Sequence, residues 1–119
     1  YALEQAVKAH GGQVREFTVA PQVNPSEGGL PYHEWFVAFD EVPADLEVFT
    51  ATIDRALQAK NVYYQDLISG GILRHCVLRA LPNDAFITYM KSVGKLGGQN
   101  KVPRLMNDRS VADKLAASN

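Results

Sequence analysis

Apolar residues recur along this chain in two rhythms, and the switches between them divide it into elements. Leu3, Ala6 and Val7, with His10 following, fall on one stripe of a helix, and Gly11-Gly12 supplies the glycine signal that ends it. From Gln13 to Ala20 the β-branched and aromatic residues Val14, Phe17, Thr18 and Val19 predict a strand. Pro21 to Pro31 reads as a mobile loop, with Pro25 and Ser26-Glu27-Gly28-Gly29 inside it. Tyr32 to Asp40 alternates Trp35, Val37 and Phe39 on one face with Phe36 and Ala38 on the other, the pattern of a central strand buried on both sides.

A helix is expected after Pro43. Asp45 and Glu47 occupy its first turn, where the macrodipole favours acids, and Leu46, Phe49, Ile53, Ala56 and Leu57 form its core stripe as far as Lys60-Asn61. Asn61 to Gly71 stays open, because Tyr63-Tyr64 suits a strand while Asp66, Ser69, Gly70 and Gly71 suit a turn. Ile72 to Leu81 returns to a strand pattern, stopped by Pro82. Asn83 or Asp84 can cap a helix carrying Phe86, Tyr89, Met90 and Val93, which ends at Gly94. Asn107 and Asp108 can cap a last helix from about Ser110 to Ala117. The predicted fold is α+β, a small, mostly antiparallel sheet covered by helices in the order α-β-β-α-β-α-α.

The 119 residues, 46% of them apolar, suffice for one core, so a single domain spanning 1–119 is expected. Twelve basic residues against 13 acidic ones leave no chain-wide positive field, which argues against nucleic acid and anionic membranes as partners. Runs such as Trp35-Phe36-Val37-Ala38-Phe39 are too short to span a bilayer. One cysteine, Cys76, excludes an internal disulfide and a Cys-rich zinc site, and makes a reducing, cytoplasmic setting the simpler expectation. The opening Tyr1-Ala2-Leu3-Glu4 lacks a signal peptide's features and reads as the inside of a helix, as in an excised part of a longer protein.

The chemistry-bearing residues concentrate in one late stretch, GKLGGQNKVPRL, Gly94 to Leu105. It is not a phosphate-binding P-loop, since it follows a helix and Gln99-Asn100 separates Gly98 from Lys101. Gly94, Gly97 and Gly98 nevertheless permit close approach of backbone amides to a ligand, and Lys95, Lys101 and Arg104 supply three cations. The residues alone leave two readings open, a ligand-binding loop and a solvated connection between helices. His33 lies on the face of Trp35 without a second ligand at metal spacing, which suits a structural histidine. His75-Cys76 fails as a base and nucleophile if both are in a strand, where neighbours point to opposite faces; Cys76 is then core. Trp35 and Tyr63-Tyr64 as a base-stacking platform would lack the cationic surface that accompanies such platforms.

GKLGGQNKVPRLMNDR resembles the motif near the C-terminus of the Gretchen Hagen family of acyl-acid amido synthetases, the auxin-responsive plant enzymes, and is nearest to the family's bacterial members. The plant run Asn-Gln-aromatic-Lys-Val-Pro-Arg falls on Gly98 to Arg104, with Gly98 in place of the asparagine and Asn100 in place of the aromatic residue. The resemblance extends back through the helix ending at Gly94, the strand at His33 to Phe36 and the helix after Pro43.

It implies the C-terminal domain of an adenylate-forming ligase. Such an enzyme activates a small carboxylic acid with ATP and Mg, then passes the acyl group to an amino acid. The small domain closes over a pocket held mostly by its own N-terminal adenylation domain, and is inactive alone. By the same resemblance Lys101 is the catalytic and ATP-binding candidate, with Arg104 and Lys95 beside it. The competing expectation is a stand-alone module that binds a small ligand or a protein without catalysis.

Overall fold

The computed structural model describes residues 2–23, 25, 28–92, 113 and 115. Helix α1 (Ala2–His10) buries Ala2, Leu3 and Ala6, the first stripe read from the sequence. Its end is set by Gly11, whose amide donates to the Val7 carbonyl at 2.8 Å, and by Gly12, which turns the chain at φ +93°. Only glycine suits that second position. A Cβ there would lie 3.1 Å from the Glu41 carbonyl oxygen and 3.2 Å from the Pro43 ring, in a left-handed conformation that costs other residues energy.

Three strands form one sheet in the order β1-β2-β3. β1 (Gln13–Gln22) runs antiparallel to β2 (Tyr32–Glu41), with Val19 opposite Trp35 and register shifts between Gln13 and Glu16. β2 pairs in parallel with β3 (Val77–Leu81), Trp35 opposite Leu78. The α+β class therefore holds and the sheet is mixed. A parallel neighbour requires a long crossover, and α2 (Leu46–Lys60) followed by α3 (Val62–Ser69) provides it.

The stretch left open by sequence is thus helical, giving the order α-β-β-α-α-β-α up to α4 (Ala85–Ser92). Asp45 precedes α2 as its N-cap instead of lying in its first turn; its carboxylate accepts from the amides of Glu47 and Val48 at 3.1 and 3.2 Å. β3 starts at Val77, five residues later than the sequence pattern suggested, because the amides of Ile72 and Leu73 turn back to the Leu67 carbonyl. The last expected helix lies outside the described residues except for Asp113 and Leu115, both helical.

β2 is buried on both faces, as its double alternation requires. Trp35, Val37 and Phe39 pack with Ala6, Phe49 and Ile53 from α1 and α2. Phe36 and Ala38 pack on the opposite side with Leu81, Phe86, Met90 and Leu115. Phe36, Phe49 and Ile53 are fully buried, each such side chain contributing about 1.5–3 kcal/mol.

Candidate functional site

Lys95, Lys101 and Arg104, with the glycines around them, lie outside the described residues. The other residues singled out by sequence are visible. His33 is half-buried, its ring 5.9 Å from that of Tyr64, and burial lowers its pKa. It shares the face of Trp35, as the strand period requires. Among the described residues no group of three or more His, Cys, Asp or Glu could hold a metal ion.

Cys76 is core, but not for the reason the sequence offered. It and His75 precede β3, so strand alternation does not separate them. Both instead meet a residue that the sequence reading passed over, Asp54. Asp54 sits on α2 beside the apolar stripe and is 3% exposed. Its Oδ1 accepts from the Tyr64 hydroxyl and from the Cys76 amide at 3.0 Å. Its Oδ2 meets His75 Nδ1 at 2.5 Å and accepts from Gln58 Nε2 at 2.7 Å.

Four donors on one carboxylate decide its charge. Burial alone would raise the Asp54 pKa, but the hydrogen bonds from Tyr64, the Cys76 amide, His75 and Gln58 outweigh it and hold the group below its ordinary value. Tyr64 is driven the other way, by burial and by the carboxylate that its hydroxyl serves. The Cys76 thiol is pushed up to about 12 by burial and by the charge on Asp54, and it faces the Thr50 carbonyl. Such a thiol is protonated and poorly nucleophilic. His75 Nδ1 meets Asp54 and carries the proton between them, because an ionised carboxylate can only accept.

The arrangement is a polar knot that fastens α3 and the segment before β3 onto α2. Arg74 extends it, donating its amide to Pro31 O at 3.0 Å and laying its guanidinium 4.7 Å from the centre of the Tyr32 ring. Outside the knot lies an open groove of about 720 Å³, lined in part by Arg55, Gln58, Arg74 and His75. The sequence held one clue to Asp54, an acid flanked by Ile53 and by Gln58 four residues on, at the margin of a core stripe.

A model of the GH3 family C-terminal domain matches residues 1–110 of the chain. Among solved structures, one titled "GH3.15 acyl acid amido synthetase" superposes with a TM-score of 0.74 at 16% identity, over 98% of this chain and 22% of that one. Another, "AtGH3.15 acyl acid amido synthetase in complex with 2,4-DB", gives a TM-score of 0.73 at 16% identity with the same coverage. At this identity the superpositions speak for the fold, and the chain spans about a fifth of either synthetase. No curated protein sequence matches it.

Proposed function

The chain belongs to the GH3 C-terminal domain family, and from that premise we propose that it is the small closing domain of an ATP-dependent acyl-acid amido synthetase. In this reading the enzyme joins a small carboxylic acid to AMP, with release of pyrophosphate, and an amino acid amine then displaces AMP to form an amide. ATP enters with Mg, and the acyl and nucleotide pockets belong mainly to a separate N-terminal adenylation domain. The observation that carries the proposal is the family match, which runs through the KVPR stretch.

The chain's own contribution is a stiff body that carries cations. β2 is packed from both sides, and the Asp54 knot ties α3 to α2, so closure can move this unit as a whole. Lys101 is proposed to bring a compact ammonium to the phosphates of ATP or adenylate, with Arg104 and Lys95 adding positive charge. A lysine that follows Gly97-Gly98 by a few residues suits a contact that must form and then break as the domain reorients.

Lys101→Ala in the intact synthetase tests the assignment. Loss of a charge-assisted contact worth about 1.5–3 kcal/mol should lower acid-dependent ATP–pyrophosphate exchange roughly 10- to 150-fold. Lys101→Arg should recover part of the loss, Lys95→Ala should cost less, and the melting temperature should barely move. Exchange at the wild-type rate in Lys101→Ala would remove the lysine from the site.

A further inference from the structure

Amide formation demands a proton acceptor. Near neutral pH an amino acid carries an ammonium, whose nitrogen has no lone pair with which to attack an acyl-adenylate. The chain has three histidines, and two are engaged elsewhere. His10 Nε2 lies 2.6 Å from the Thr52 hydroxyl, which itself donates to the Val48 carbonyl, so that nitrogen carries its proton and has no lone pair to offer. His33 is half-buried against the Tyr64 ring. His75 is different. Its Nδ1–H is fixed on buried Asp54, which sets the tautomer and leaves the lone pair of the neutral ring on Nε2. The side chain is 69% exposed and makes no other hydrogen bond among the described residues, so Nε2 has no partner.

An exposed imidazole held by a carboxylate behind it is built either to ligate a metal or to take a proton. Among the described residues no cluster of metal ligands accompanies His75, which favours the second. His75 lines the groove of about 720 Å³ beside α2. Glu47 shares this groove and supplies a carboxylate that attracts an ammonium, Arg55 supplies a cation, and Leu46 and Leu78 supply apolar wall. Within the synthetase reading, on which this rests, we propose that the groove receives the acceptor amino acid and that His75 is the base that takes the proton from its ammonium. Once Nε2 has that proton, the freed lone pair attacks the acyl carbonyl. The C–N bond forms, the C–O bond to the AMP phosphate breaks, and AMP leaves with its electron pair. The nitrogen's second surplus proton goes to water, as does the imidazolium's when the amide departs. Asp54 acts through His75 and is a positioning residue.

His75→Gln in the intact synthetase is the test, because the new amide still donates to Asp54 but takes up no proton near neutral pH. Acid-dependent ATP–pyrophosphate exchange reads the first half-reaction, and release of the acyl-amino acid reads the second. With an amino acid acceptor at pH 7, amide formation should fall about 100-fold or more while exchange stays within about twofold of the wild type. Hydroxylamine is largely unprotonated at that pH and needs no base, so hydroxamate formation should be spared. The loss should also shrink as pH is raised from about 7 to about 10, where solvent frees the amine. The charged and titratable groups around His75 are Asp54, Glu47 and Arg55 from α2, Tyr64 from α3, and Arg74 and Cys76 beside it. All are present in the variant, so the change in profile reports the imidazole. Amide formation at the wild-type rate in His75→Gln, or an equal loss with hydroxylamine and the amino acid, would overturn the inference and leave the synthetase reading standing. Absence of exchange in the wild type with every acid tried would instead remove that reading and this inference with it.

Discussion

Asp54 shows how much one side chain can organise. Tyr64→Phe keeps the ring and removes one donor to a charged acceptor, so it should cost about 1.5–3 kcal/mol in urea unfolding. Asp54→Ala should cost more, because it orphans both the Tyr64 hydroxyl and the buried Cys76 amide at about 1–3 kcal/mol each. His75→Ala should be mild, as the ring is 69% exposed and its pairing is screened.

The pH dependence has a definite sign. The folded Asp54 pKa is lowered, so the unfolded chain binds more protons around and below the ordinary value of 3.8. The knot's stabilisation is therefore full well above that value and is lost as pH falls through the folded pKa. Urea midpoints measured from pH 7 to pH 3 should drop more steeply in the wild type than in Asp54→Ala. Cys76, with its pKa raised to about 12, should resist iodoacetamide at pH 8 by more than ~100-fold relative to the urea-unfolded chain. At this scale the sequence revealed Cys76 as core but hid its reason, because Asp54 meets Tyr64, His75 and Cys76 only after the crossover folds back.

Elements were legible where their period ran long enough. α2 was plain from its stripe, and β2 from its double alternation. α3 was not, since eight residues give barely two turns and its adjacent tyrosines mimic a strand; Tyr63 is exposed and Tyr64 buried. Asn61 is what makes the segment helical. Its amide closes α2 on the Leu57 carbonyl at 2.9 Å, while its side chain accepts from the amides of Tyr63 and Tyr64 at 3.0 and 3.2 Å. Asn61→Ala should thus cost about 0.5–2 kcal/mol through the lost N-cap, with the far-ultraviolet helical signal falling in step. Gly12→Ala should also destabilise the fold, because it adds a crowded Cβ at a positive φ between α1 and β1.

Across the whole molecule the sequence carried the class of fold further than the pairing of its strands. Alternation shows that β2 is central, but whether β3 runs parallel or antiparallel depends on the path of α2 and α3, which no local pattern records. Phe36→Ala, at the centre of the second core, should cost about 3–5 kcal/mol in denaturant unfolding. The family resemblance is most specific in a short run of residues, Lys101 to Arg104, and the match to the family's C-terminal domain covers residues 1–110.

The synthetase reading makes the domain necessary and insufficient for catalysis. The direct measurement is acid-dependent ATP–pyrophosphate exchange, compared among the intact gene product, the same protein lacking this domain, and the isolated 119-residue chain. The account predicts exchange by the intact protein with at least one small carboxylic acid, its severe loss on deletion of the domain, and none from the isolated chain. Exchange by the isolated chain, or undiminished exchange without it, would contradict the account.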